Sequence, residues 1–133
     1  MGVNLTPDGL GGEDIIVLGG ITEYRKSLYF NFASTLTWDV PITYVGATGG
    51  ILEITAGASH YFTSSYGCYR KALAGYRSSS TNFTEWNVAN NYTSTNGGSF
   101  SFSLVDGTTL RVTHTAGSYS STGYGFIHVK MHT

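Results

Sequence analysis

One stretch near the end of the chain constrains its fold more than any other: Ser99-Phe100-Ser101-Phe102-Ser103-Leu104-Val105, then Asp106-Gly107, then Thr109-Leu110-Arg111-Val112-Thr113. Successive side chains of a β-strand point to opposite faces, so Phe100, Phe102 and Leu104 share one face while Ser99, Ser101 and Ser103 share the other. Asp-Gly between two alternating runs signals a hairpin, because a type I′ turn needs positive φ at both central residues. With Asp106-Gly107 in the turn, Leu110 and Val112 face the core and Thr109, Arg111 and Thr113 face water.

The same period recurs along the chain, and no segment carries the 3.6-residue apolar period of a helix. Leu28, Phe30 and Phe32 line one predicted strand and Leu36, Trp38 and Val40 the next. Leu52, Ile54, Ala56, Ala58 and Phe62 share a face in a third strand. That strand pairs across Thr63-Ser64-Ser65 with a run from Tyr66 to Arg77. A short strand carries Trp86. The last strand sets Ile127, Val129 and Met131 against Phe126, His128, Lys130 and His132. Turn clusters rich in Gly, Ser and Asn separate these runs, at 46–50, 78–82, 90–98 and 117–123. About eight strands at this spacing predict an all-β protein, a single antiparallel β-sandwich of jelly-roll type. A doubly wound α/β fold is excluded, because no helical segment is available to cross between parallel strands.

With 133 residues the chain fits one domain, which can bury a core without disulfide staples. Residues 21–133 are assigned to the sandwich. Residues 1–20 hold glycine pairs around the apolar patch Ile15–Leu18 and read either as an edge strand or as an arm that attaches to another protein. Only 11% of residues are charged and the net charge is -1, so the basic footprint of a nucleic-acid binder is missing. No apolar run is long enough for a membrane-spanning helix, and no basic segment precedes an apolar stretch at the start as in a signal peptide. The sequons at Asn4, Asn82 and Asn91 read as chance matches on that basis.

The residues that could carry chemistry are few. The chain has eight carboxylates, and no two of them stand out as an acid–base couple. Nucleophile-elbow, phosphate-loop, dinucleotide and zinc-protease motifs do not occur. No cofactor and no metal site are expected. His128 and His132 share a face, but four residues along a strand part them by about 13 Å, too far for one ion within one chain. Cys68 reads as a small buried residue. The tyrosines are more suggestive. Tyr119 and Tyr124 in Gly-Ser-Tyr-Ser-Ser-Thr-Gly-Tyr-Gly, with Tyr66 and Tyr92, put aromatic faces beside hydroxyls near predicted loops, a composition suited to polyhydroxylated ligands. These four are the candidate ligand-binding residues; the alternatives are that they fill turns, or that contact is made by the flat side of the sheet.

The segments GGILEITAGASHYFTSSYGCYRKALAGY and SFSFSLVDGTTLRVTHTAGSYSSTGYGFIHVKMH carry a family resemblance. A wetted strand ends in Ser-His-Tyr, its partner begins Tyr-Gly, and the terminal strand reads Gly-Tyr-Gly-Phe-Ile-x-Val. Over residues 26–133 the chain resembles the C-terminal knob domains of tailed-phage fibres and related small virion surface proteins. The resemblance implies a non-enzymatic homotrimer on the virion surface. It also implies tip loops that meet a host-surface glycan or receptor, and an N-terminal segment that docks on other virion proteins. A capsid decoration protein or a free-standing carbohydrate-binding module is the alternative.

Overall fold

In a computed structural model, the structure describes residues 2–4, 13–18, 21–42, 49–60, 67–77, 83–92, 95–106 and 108–132, with backbone only at 2–4, 13–18, 21, 49, 76, 77, 87, 90–92 and 95. Ten strands lie within them: β1 Gly2–Asn4, β2 Glu13–Leu18, β3 Ile21–Asn31, β4 Leu36–Pro41, β5 Gly49–His60, β6 Gly67–Arg77, β7 Phe83–Tyr92, β8 Ser99–Asp106, β9 Thr109–Thr115 and β10 Thr122–His132. A 3₁₀ turn at Thr95–Gly97 leads into β8. Every pairing is antiparallel, in a seven-stranded sheet of order β1-β2-β3-β10-β5-β6-β7 and a three-stranded sheet of order β4-β9-β8.

The sandwich forms because alternation gives each sheet one apolar face. Leu28, Phe30, Ile54, Ala56, Ile127 and Val129 from the large sheet close on Val40, Phe100, Phe102, Leu110 and Val112 from the small one, all buried. Aromatic rings join the layers. Phe30 on β3 lies edge-on to Trp38 on β4 and Phe100 on β8, with ring centroids 5.4 and 6.2 Å away. A partly buried ion pair, Arg70 with Glu85, holds β6 to β7 on the inner side, and the Arg70 guanidinium stands 5.4 Å from the centre of the Phe102 ring.

The alternation of β8, β9, β5 and β10 is as the sequence predicts, with Phe100, Phe102, Leu110, Val112, Leu52, Ile54, Ile127, Val129 and Met131 inside. Several local expectations are corrected. Leu36 shares that face but is exposed, because it starts its strand at the rim, so of that set Trp38 and Val40 pack on the core. Asp106 pairs with Thr109, so it ends β8 rather than occupying the turn; its carboxylate accepts hydrogen bonds from the backbone N–H and the hydroxyl of Thr108. Residues 90–92 belong to β7, held by β6, where a turn was expected. Gly123 and Gly125 lie in β10, not in a turn. A Cβ at Gly123 would stand 2.3 Å from the Phe32 ring, so this position is glycine to admit that ring beneath the strand.

The strand order establishes the sandwich but not the eight-stranded double Greek key of a jelly roll. At the N-terminal side, β2 pairs along β3 from Glu13↔Lys26 to Leu18↔Ile21, with β1 beyond it at the edge of the sheet. Phe62, the Thr63-Ser64-Ser65 turn, Gly107 and the clusters at 46–48 and 78–82 lie outside the described residues.

Candidate functional site

The large sheet turns one face to the core and the other outward. On β10, Gly123, Ile127, Val129 and Met131 are buried, so Tyr124, Phe126, His128, Lys130 and His132 face out. Register carries that face across the sheet. Tyr124 lies opposite Tyr29 on β3 and Ser59 on β5. Phe126 lies opposite Ser27 and Gly57, and Gly57 opposite Tyr69 on β6. The result is an aromatic patch on rigid strands, with Tyr29 57%, Tyr124 39%, Phe126 44% and Tyr69 36% exposed. The Tyr29 and Tyr124 rings meet at a centroid distance of 5.0 Å, tilted by 56°. Gly57 is the floor between the other two: a Cβ there would lie 3.3 Å from Phe126 Cε1 and 3.3 Å from Tyr69 Cδ2, so the missing side chain lets both rings close over the backbone.

One row further along the strands Arg25, His128, Thr55 and Lys71 stand in register, followed by a mixed row of Glu23, Lys130, Glu53 and Leu73 that ends on the exposed Trp86 of β7. Two carboxylates there, Glu23 and Glu53, stand among three cations, Arg25, Lys71 and Lys130. Glu23 carboxylate oxygens lie 3.5 Å from Arg25, 3.8 Å from His128 and 3.7 Å from Lys130. Glu53 pairs with His132 at 2.6 Å, and that hydrogen bond holds its carboxyl below the usual range. Burial, and then the Arg25 charge, push His128 below its ordinary value. On β2, Asp14 is in register with Arg25.

The structure separates the tyrosines that the sequence grouped. Tyr124 is a strand residue on the outer face. Tyr119 sits in the loop between β9 and β10 with its ring against the inward-facing His60, centroids 5.1 Å apart, and packs on the core. That loop is bound to its surroundings. The Tyr119 N–H donates to the Asn96 carbonyl at 3.1 Å, the Gly117 N–H to the Phe32 carbonyl at 2.8 Å, and the Phe32 N–H to the Ser121 carbonyl at 2.9 Å. Ser121 Oγ lies 2.8 Å from His60 Nε2, and the Ser118 hydroxyl donates to the Asn96 side chain. Beneath it, His114 is wholly buried, its ring nitrogens each 2.8 Å from the carbonyl oxygens of Ser34 and Gly97. Tyr92 ends β7 opposite Cys68, with its side chain outside the described residues, as is all of Tyr66.

Sequence reasoning passed over Tyr29, Phe126 and Tyr69 as a group. The signal was present: Tyr29 sits between Leu28 and Phe30 on the wetted side of its strand, and Phe126 falls with the polar residues of β10.

The described groups that could do other chemistry are engaged structurally. Asp39 accepts two hydrogen bonds from Arg111, at 2.8 and 3.2 Å, which hold its carboxyl below the usual range. Cys68 is buried, and desolvation pushes its thiol up to about 12, where no reactive thiolate forms near neutral pH. Among the described residues no three His, Cys, Asp or Glu side chains converge on a metal-sized site.

No protein-family model matches the chain, and no curated protein matches it. Among solved structures, the tailspike protein of Acinetobacter phage vB_ApiP_P1 is similar to it with a TM-score of 0.44 and 17% identity, over 82% of this chain. The chain spans 22% of the length of that tailspike chain. A likeness that distant fixes neither a fold nor a role.

Proposed function

We propose that this chain is a non-enzymatic attachment module of a tailed-phage virion, surface-exposed and homotrimeric, whose contact surface is the outer face of the seven-stranded sheet. The observation that carries the reading is the patch of Tyr29, Tyr124, Phe126 and Tyr69, four large rings exposed together on strands that hold them rigidly. Scattered exposed apolar side chains are ordinary, whereas a contiguous group marks a place of contact. The resemblance of residues 26–133 to fibre knobs supports the virion context. The site lies on the flat of the sheet, with Tyr124 retained from the expected tyrosines and Tyr119 reassigned to holding the loop. Three copies on one trimer would turn a weak single contact into firm attachment, since linked sites raise avidity by roughly 10²–10⁴ where geometry permits.

An antibody raised against the chain is expected to label intact virions from the source and to block their adsorption to host cells. Labelling without any effect on adsorption favours capsid decoration, and virions that take no label at all point to a free-standing binding module. Light scattering on the purified chain checks the trimer.

A further inference from the structure

From the edges of the two sheets we infer that β8 pairs with β8 of a second copy of this chain, antiparallel across a two-fold axis, joining two three-stranded sheets into one of six strands. This goes beyond the attachment reading and uses a different surface.

A free sheet edge presents a row of unpaired backbone N–H and C=O groups, and stable proteins guard such edges with charge, proline, bulges or shortness. Among the described residues the strand orders leave four edges, at β1, β7, β4 and β8. Three are guarded. β1 has three residues. β7 carries Glu85 and an irregular register opposite the stretch from Lys71 to Leu73. β4 carries Asp39, paired with Arg111, and ends on Pro41, which has no N–H to offer. β8 is different. From Ser99 to Leu104 it holds no charge and no proline, and its register with β9 stays regular until the shift between Leu104 and Asp106. Among the described residues it pairs with β9 alone.

The alternation of β8 identifies the guest. A strand added at this edge needs apolar side chains toward the core and small uncharged ones toward water. That is the pattern of β8 itself, with Phe100, Phe102 and Leu104 inward and Ser101 and Ser103 exposed. Two such strands match faces only when the two-fold passes through a residue, and the registers centred on Ser101 or Phe102 both set serine opposite serine outside. On the inside Phe100 then stands opposite the partner's Phe102 or the partner's Leu104, and apolar cross-strand pairs of this kind stabilise a sheet.

The surface beneath is apolar as well. β8 lies over β6 and β7, so an added strand runs on over β7. Phe83 on the inner side of β7 and Leu104 on β8 both pack on the core while staying partly exposed, and the guest's inward side chains would cover them. Six residues of strand make a contact about 20 Å long, short of the roughly 800 Å² per side of a firm interface. Main-chain hydrogen bonds carry such a pairing, so it is weak, and it closes on itself because the two-fold uses both edges.

Sedimentation velocity on the intact chain from about 5 to about 500 μM tests the pairing by mass action, with hydrogen exchange of β8 read at both ends of the range. Particle mass is expected to double with concentration, and β8 amides to exchange about fivefold or more slowly in the larger particle. Ser101→Lys and Ser103→Lys place a charge at the seam on exposed positions, and each should weaken the doubling about tenfold or more. Thr37→Lys, on the opposite edge strand of the same sheet, should leave it unchanged. Where circular dichroism shows a lysine variant to be unfolded, exchange in the unaltered chain decides, and unslowed β8 amides overturn the inference. A mass that stays constant over the range overturns it, as does doubling that survives both lysine variants. Doubling lost instead in Tyr29→Ala with Tyr124→Ala assigns the contact to the outer face of the large sheet and also overturns it. Mass that grows beyond a doubling shows open-ended edge pairing and overturns the two-fold.

Discussion

Tyr119 and Tyr124 are five residues apart in a segment of Gly, Ser and Tyr, yet they belong to two regions with opposite physics. The loop at 116–121 is tied down: its backbone bonds to Phe32 and Asn96, its Ser121 to His60, its Ala116 N–H donates to the Thr35 hydroxyl at 3.0 Å, and its one aromatic ring packs inward. On the outer face of β10 the backbone ladder is joined by side-chain contacts, Tyr124 with Tyr29, His128 and Lys130 with Glu23 and His132 with Glu53, and the rings of Tyr124 and Phe126 stand partly exposed. A loop of small polar residues is commonly assigned to recognition because its backbone can vary. In this molecule the loop seals the end of the sandwich, and the regular strand carries the exposed aromatic surface. Hydroxyls and tyrosines suit either task. What separates them is whether the ring packs against the core or stands exposed on the sheet.

The largest effect that could break this contrast lies under the loop. His114 is buried among Phe30, Phe32 and Phe100, with ring centroids 4.6, 6.2 and 5.4 Å away, and it spans two carbonyls that no other described side chain is shown to serve. His114→Ala should cost about 3–4 kcal/mol, from a cavity plus the loss of the ring's contacts with the two carbonyls, read by denaturant unfolding. A loss under about 1 kcal/mol would show the loop to be a passive cover. Next comes the inner ion pair: Glu85→Ala, leaving Arg70 partly buried without its carboxylate, should cost about 2 kcal/mol.

Smaller effects sharpen the contrast. Tyr119→Ala should lower stability by about 1–2 kcal/mol, since a half-buried ring leaves the core. Tyr124→Ala should change it by less than about 0.5 kcal/mol, as expected of an exposed position. Ligand binding should follow the reverse order, and equal stability losses at the two sites would erase the distinction.

The smallest effect is a pH dependence led by the outer face. His128 titrates below its ordinary 6.5 when folded, chiefly through burial. The unfolded chain then binds more protons, so this stabilisation is present above about pH 6.5 and is lost as pH falls through the folded value. Glu53 and Asp39, held below their ordinary 4.5 and 3.8, add a second loss further into acid. Thermal midpoints measured from pH 7.5 to 5 should fall gently, and His128→Gln should flatten that slope. An unchanged slope would place the titration elsewhere.

Much of this was legible in the order of residues, for a reason that also marks its limit. Alternation is a local property of a strand, and it alone decides that Phe100, Phe102, Leu110, Val112, Ile127 and Val129 face inward while Phe126, His128 and Lys130 face out. Low charge, a single cysteine and the lack of helical period were equally local, and with alternation they determined an antiparallel sandwich. The identity of each strand's neighbours is not local. Only the tertiary structure inserted β10 between β3 and β5, setting Tyr124 against Tyr29 from 95 residues earlier and Phe126 over Gly57 beside Tyr69. The same non-local packing turned Tyr119 inward against His60. An aromatic patch is a property of neighbouring strands, and the pairing energy that chooses neighbours is summed over the whole sheet rather than written in any one segment.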